Sequence, residues 1–333
     1  MSRNVSYYYH AGHEQFDPKR LLEHSVHAAR SGFDGISCSD HLQPWWEPGE
    51  SGQAWVWLGA LGQATAGVPI GTAVTPAGPR YHPVLIAQAW ATLESLFPGR
   101  PFIGFGSGES LNESLLGAHW PSVSEQIERM DEALEMITAL FGGARLDRDG
   151  RHFRAEGAYL HTRPERRPPI YVSAFGRKAA EVAGRWGDGL WTLADPDAAP
   201  GVIDAYRSAA EDAGREPGEI VLQSTFSWAS DDGAAFESAR PWRGAQPNEF
   251  YTEDWHDPSA MYEHAKKTIG DDQLRDQITI SSDPDDHVEA IRDVERLGAT
   301  IVVLANVSAT DPLGAIDVYR DHVLPAVRGA RVA

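Results

Sequence analysis

Residues 69–105, PIGTAVTPAGPRYHPVLIAQAWATLESLFPGRPFIGF, hold the pattern that decides the fold. Pro69 to Val74 is a short apolar run suited to a strand, followed by a loop punctuated by Pro and Gly. From His82 to Leu96 the apolar residues adopt helical spacing, with Ile86, Trp90, Leu93 and Phe97 on one face. Phe102 to Phe105 is a second short apolar run. A strand, a helix and a strand in succession form a crossover unit, and repeated units of this kind demand a parallel sheet.

The same alternation extends in both directions. Upstream, Val5 to Tyr9 reads as a strand, Pro18 to Ser31 as a helix capped by Asp17, and Gly35 to Ser39 as a strand. Downstream, a helix carries Ile127, Met130, Leu134, Ile137 and Phe141 in steps of three and four, a buried stripe. Strands follow at Ile170–Ser173, Gly189–Thr192, Ile220–Phe226 and Thr300–Leu304. Helical patterns lie at Lys178–Trp186, Ile203–Ala213, Ser259–Ile269, Asp285–Leu297 and Leu313–Val327. About eight strands alternating with helices favour an α/β fold of the (β/α)8 TIM-barrel type over an open doubly wound sheet. No Gly-x-Gly-x-x-Gly follows the first strand, which argues against a dinucleotide-binding domain. Polar stretches at about 146–167 and 231–257 read as insertions after strands four and seven of one domain spanning 1–333.

The 333 residues are 42% hydrophobic and 23% charged, ordinary for a globular protein with a sizeable core. Lys and Arg number 29 against 48 Asp and Glu, a net charge of −19. That balance argues against nucleic acid and anionic membrane as partners. It fits either an ordinary acidic surface or adaptation to salt. No run approaches the length of a membrane helix, the first residues lack a signal-peptide pattern, and a single cysteine, Cys38, cannot form an internal disulfide. The expected location is cytoplasmic.

In such a barrel the chemistry gathers at the C-terminal ends of the strands. Those ends deliver His10, His13 and Glu14; Asp40, His41, Trp45 and Trp46; Ala73 to Pro76; Ser107, Gly108, Glu109 and Asn112; and Ser173, Phe175 and Gly176. Two residues between His10 and His13 do not point both rings one way along a strand, and neither a Cys cluster nor His-Glu-x-x-His occurs, so no metal is expected. Gly104-Phe-Gly-Ser-Gly-Glu109 suits either a phosphate cradle or the close approach of a flat ring. His41 suits a general base or a structural histidine, Glu109 an acid or a solvated loop residue, and Trp45 and Trp46 a stacking wall or packing.

Taken together, Ser39-Asp-His-Leu-Gln-Pro-Trp45, Arg80-Tyr-His-Pro83 with Ala87-Gln88-Ala89, Phe97-Pro-Gly-Arg100 and Gly106-Ser-Gly-Glu-Ser-Leu-Asn-Glu113 resemble the deazaflavin-dependent glucose-6-phosphate dehydrogenase group of the bacterial-luciferase-like superfamily. The likeness continues through Trp186-Gly-Asp-Gly189 and Ser282-Asp-Pro-Asp285. It implies a (β/α)8 barrel that uses coenzyme F420. It further implies that His41 takes the substrate's hydroxyl proton, that Trp45 lies beside the reacting centre and that Glu109 serves the ring as hydride arrives. Glu14 and Trp46 would face the substrate. Asp40, Ala73, Val74, Thr75, Ser107, Gly108, Asn112, Ser173, Phe175 and Gly176 would contact the cofactor, with Phe175 standing where the group has Gly.

The group's phosphate-binding basic positions match Pro196, Glu263 and Gln277 here, so an uncharged alcohol or unphosphorylated sugar is expected, with Glu263 and Gln277 on the substrate side and Trp45, Trp46 and Trp55 as stacking walls. Other readings stay open: a sugar-6-phosphate dehydrogenase, a reductase using the reduced deazaflavin, an FMN-dependent monooxygenase of the same superfamily, or a non-catalytic sugar-binding protein. A homodimer is the expected assembly.

Overall fold

A computed structural model describes residues 5–117 and 119–329. Eight parallel strands form a closed barrel: β1 (Ser6–Ala11), β2 (Gly35–Cys38), β3 (Ile70–Thr72), β4 (Pro101–Gly106), β5 (Ile170–Ser173), β6 (Gly189–Leu193), β7 (Glu219–Ser227) and β8 (Ile301–Asn306). Each pairs with its sequence neighbours, β6 pairs with β7, and β8 returns to β1 with Tyr8 opposite Val303, so no strand edge is left open. A helix follows each strand: α1 (Pro18–Arg30), α2 (Ala54–Ala64), α3 (Pro83–Leu96), α4 (Val123–Phe141), α5 (Arg177–Trp186), α6 (Ala199–Asp212), α7 (Pro284–Arg296) and α8 (Pro312–Val318). The last continues through a π turn at Tyr319–Val323 into Leu324–Val327.

The barrel's interior is filled by Tyr8, Phe102, Tyr171, Trp191, Val221, Ile301 and Val303. These large rings dictate small residues opposite them: a Cβ on Gly35 would come within 2.7 Å of the Tyr8 ring. Between barrel and helices, Met130, Leu134, Ile137 and Phe141 of α4 are buried as their spacing predicts, with Ile127 at the stripe's edge. Burying each such side chain stabilises the fold by roughly 1.5–3 kcal/mol.

Some elements depart from the sequence reading. α2, AWVWLGALGQA, is apolar on all sides and so lacks the periodicity that marks an amphipathic helix. The strand expected over Pro69–Val74 stops at Thr72, and Thr75–Pro76 pairs separately with β4. Residues 146–158 form an antiparallel hairpin, Leu146–Asp149 against Arg154–Ala158. The segment 231–257, read as irregular, holds a helix at Asp232–Ala239 and two 3-10 turns; the helix expected over Ser259–Ile269 follows at Pro258–Thr268, and a further one at Asp271–Gln277 carries no helical periodicity. These elements roof one side of the barrel mouth.

At the opposite end, Arg100 pins the start of β4 to the connection between α2 and β3. Its guanidinium donates to the carbonyls of Val68 and Gly62 at 2.9 Å, to that of Thr65 at 3.1 Å and to the Thr65 hydroxyl at 2.7 Å. Removing it leaves several part-buried acceptors unpaired. Arg100→Ala is expected to cost about 2–3 kcal/mol, read from the urea midpoint, and Arg100→Lys to recover less than half, because one ammonium cannot serve all four acceptors.

Candidate active site

The strand ends open into a cavity of about 480 Å³ beneath the roofing helices. Its deepest wall comes from β1 and the turn after it. His10 is buried, with Nδ1 3.0 Å from the Ser37 hydroxyl, and burial pushes its ring down to about 4, so it stays neutral. His13 is likewise pushed down to about 4 by burial and packs edge-on to Trp57. Ser39 receives the His13 backbone N–H at 2.8 Å and donates to Glu14 Oε2 at 2.7 Å. Burial alone would raise the Glu14 carboxyl, but the His41 ring and the Ser39 hydroxyl outweigh it and hold it below its ordinary value.

His41 stands between two carboxylates. Its Nε2 lies 3.4 Å from Glu109 Oε2 and 3.6 Å from Glu14 Oε1. Nδ1 faces the Gln43 carbonyl at 3.3 Å, an acceptor that assigns the proton to Nδ1 in the neutral ring and leaves Nε2 as the basic nitrogen. The Trp45 ring is 5.2 Å away. Burial raises the Glu109 carboxyl despite the opposing pull of His41, so Glu109 holds its proton to higher pH than an ordinary glutamate. Asn112 fixes both partners, accepting from the Leu42 N–H at 2.7 Å and donating to Glu109 at 3.2 Å.

The next wall is built around Arg80, buried between Asp40 and Glu113. Nη1 meets Asp40 Oδ1 at 3.1 Å, Nη2 the Asp40 carbonyl at 2.8 Å, and Nε meets Glu113 Oε1 at 2.9 Å. Thr75 donates to the other Asp40 oxygen at 2.6 Å and Tyr81 to Oδ1 at 3.2 Å. Ala73 and Val74, joined by a cis peptide bond, form part of the cavity surface. β4 must be bare beside them: a Cβ on Gly104 would collide with the Thr72 carbonyl, and one on Gly106 with Val74. Gly108, at φ +87°, turns the chain from β4 toward Glu109.

Of the residues singled out from sequence, Glu14, Asp40, His41, Trp45, Ala73, Val74, Ser107, Gly108, Glu109, Asn112, Ser173, Phe175 and Gln277 share this cavity. Four stand off it. Thr75 lies behind the wall, engaged with Asp40. Gly176 caps α5 beyond the rim. Trp46 is buried one layer back against Trp242, 5.2 Å between rings, so Trp242 forms the surface expected of it. Glu263 is a correction: the helix Pro258–Thr268 buries Met261 and Ala265, which turns Glu263 outward to pair with Lys266. Trp55 stacks on Tyr81 at 4.0 Å and also lies outside the cavity.

The sequence reading assigned no role to Arg80, Trp191, Trp242, Tyr251, Asp195 and Asp276, all of which reach the cavity. Trp191 was findable as a residue near the end of a strand. Trp242 and Tyr251 sit in the segment read as irregular, where nothing in the spacing signals their direction. Tyr251 packs against Trp45 at 5.4 Å and Phe175 at 6.0 Å, its hydroxyl donating to the Ala245 carbonyl at 2.7 Å. Among the described residues no group of three His, Cys, Asp or Glu side chains stands at metal-binding spacing.

A histidine poised between two carboxylates, beside a wall kept bare by glycines, is an arrangement that suits proton removal from a substrate next to a flat ring. The luciferase-like monooxygenase family model matches residues 3–300. The chain is 34% identical to an F420-dependent glucose-6-phosphate dehydrogenase of Segniliparus rotundus, across 98% of this chain and 99% of that one. It is 35% identical to an F420-dependent hydroxymycolic acid dehydrogenase of Mycobacterium tuberculosis, across 95% and 86%. Among solved structures, an F420-dependent secondary alcohol dehydrogenase in complex with an F420–acetone adduct superposes with a TM-score of 0.92 at 31% identity, covering 97% of this chain and 99% of that one. The chain belongs to the luciferase-like family, in the branch whose members are F420-dependent dehydrogenases.

Proposed function

We propose that this protein is an F420-dependent oxidoreductase that oxidises the CH–OH group of an unphosphorylated alcohol or sugar. The observation that carries the substrate class is electrostatic: Arg80 is the one guanidinium lining the cavity among the described residues, and Asp40 and Glu113 neutralise it. A phosphate dianion would shed its hydration there with no free cation to receive it. The positions matched to basic residues in phosphate-binding relatives are Pro196 and Gln277 at the rim and Glu263 outside it. Relatives named glucose-6-phosphate dehydrogenases make the phosphorylated sugar the reading to test against.

The residues present fit a deazaflavin. Ala73 and Val74 would back the ring, Asn112, Ser107 and Gly108 would edge it, and Ser173 and Phe175 would lead toward α5. That helix opens at Gly176 with uncapped N–H groups, no acid in its first turn and open space where a side chain would stand, which suits the phosphate side of the cofactor. A bound deazaflavin would supply the hydride acceptor needed to turn the carbinol carbon into a carbonyl. The protein's part is proton transfer and position. His41 Nε2 receives the hydroxyl proton, and the Glu14 carboxylate beside it stabilises the imidazolium that results. Glu109, protonated to higher pH by burial, supplies a proton toward the ring. Trp45 and Tyr251 wall the substrate and exclude water. The buried thiol of Cys38 suits a reducing cytoplasm.

A second copy of the chain fits the outer face of α2 and α3. These neighbours, linked by Trp55 against Trp90 at 5.2 Å, expose Val56, Leu85 and Leu96. Their one charged side chain, Glu94, is buried. On a chain of net charge −19, such a face permits self-association without like-charge repulsion.

His41→Ala is expected to lower turnover by about 10²–10⁴-fold while deazaflavin affinity, followed by fluorescence titration, stays within a few-fold of normal; unchanged turnover ends the base assignment. Glu109 acts in its protonated form and its carboxyl is raised, so turnover should fall as pH climbs through that carboxyl. Glu109→Gln should be slow and lack this limb in a pH–rate profile. Anaerobic assays following loss of oxidised-cofactor absorbance should show glucose or simple secondary alcohols turned over better than glucose 6-phosphate, and the reverse order overturns the substrate class. Val56→Glu combined with Leu85→Glu should convert a dimer to a monomer by light scattering; an unchanged mass removes this face.

A further inference from the structure

We infer that the substrate end of the cavity selects an alcohol carrying a positive charge, an amino sugar or amino alcohol, over its neutral and phosphorylated counterparts. The inference rests on the dehydrogenase reading above and narrows its substrate class. Among the described residues five acidic side chains line the cavity, those of Glu14, Asp40, Glu109, Asp195 and Asp276, against the one guanidinium of Arg80. Arg80 is spent on Asp40 and on Glu113 behind it, and His41 faces Glu14 and Glu109, which leaves Asp195 and Asp276 without a cationic partner among the described residues.

Three cations close to the rim in sequence are paired with acids outside it. Arg243 pairs with Asp271, Arg240 with Glu237 and Lys266 with Glu263. Arg275, next in sequence to Asp276, lies over the Phe236 ring at 4.2 Å. Asp195 is held in place, because its Oδ1 accepts the N–H groups of Asp197 and Ala198 at 2.8 and 3.0 Å. Its charge therefore stays at the mouth, anchored to the end of β6.

The walls between these acids suit an ammonium group. Trp45, Trp191, Trp242 and Tyr251 all contribute surface, and the faces of such rings attract a cation, more strongly once water is excluded. Charge and aromatic faces thus converge on a cation at the substrate end of the cavity. A phosphorylated sugar meets the opposite of each, since acids of like sign focused by a low-dielectric cleft raise the local concentration of cations and lower that of anions.

The test compares glucosamine, glucose and glucose 6-phosphate below neutral pH, where the amine is protonated, by initial rates of deazaflavin reduction at low and high salt. Glucosamine should exceed glucose in kcat/KM by about tenfold at low salt, glucose should exceed its phosphate, and salt should compress both gaps. The Asp195→Asn, Asp276→Asn double variant should lower the glucosamine-to-glucose ratio by about tenfold. Calorimetry of the cofactor-free protein with the same three sugars supplies a readout independent of turnover and should give the same order. Equal constants for glucosamine and glucose, a preference for glucose 6-phosphate, or a ratio unmoved in the double variant overturns the inference while leaving the dehydrogenase reading standing. Failure of all three sugars and of a simple secondary alcohol to reduce the deazaflavin overturns that reading instead, and the calorimetric order then decides the charge preference alone.

Discussion

Everything at the mouth of this barrel hangs on the guanidinium of Arg80. It is buried, and it ties together three loops that chain connectivity leaves independent: the one after β2 through Asp40, its own after β3, and the one after β4 through Glu113. Two carboxylates in a part-buried wall would repel one another without it, and either alone would bear the cost of an unpaired buried charge, typically about 3–5 kcal/mol. His41 follows Asp40 in sequence, Val74 lies in the stretch between β3 and Arg80, and Glu109 begins the turn that ends in Glu113. The clamp therefore fixes the base, the wall and the acid relative to one another through one planar group with hydrogen bonds in fixed directions.

The barrel was legible because its elements announce themselves locally. Short apolar runs and the stripe Met130, Leu134, Ile137 and Phe141 carry period and length in a few residues. α2 was not legible for the opposite reason, since a helix apolar on every side has no phase to read. Asp271–Gln277 has a single apolar residue, Leu274, and reads as loop. In the site, residues at strand ends could be listed from the order of elements, and the likeness of the motifs supplied candidate roles. Arg80 stood inside a quoted motif without a role, because its partners Asp40 and Glu113 lie 40 and 33 positions away. Glu263 was misplaced by helix phase: two residues from Met261 is nearly the far side of a helix, and Met261 is the side that packs.

The acidity visible in the composition is not spread evenly over the folded molecule. α2 and α3 have almost none of it, while the mouth of the cavity carries it in Asp195 and Asp276. A single net charge of −19 thus conceals two local regimes, a neutral flank and a negative mouth. Composition reports their sum, and the fold decides where each lies.

Trp55 connects those two regimes. Its ring stacks on Tyr81 at 4.0 Å and its Nε1–H reaches Thr75 at 3.2 Å, and both Tyr81 and Thr75 donate to Asp40. The outer helix α2 is therefore only two side chains from the carboxylate that anchors Arg80, by two parallel routes. A load applied to that helix from outside arrives at the wall of the cavity as a change in how Asp40 is held, so the barrel's flank and its mouth behave as one mechanical unit.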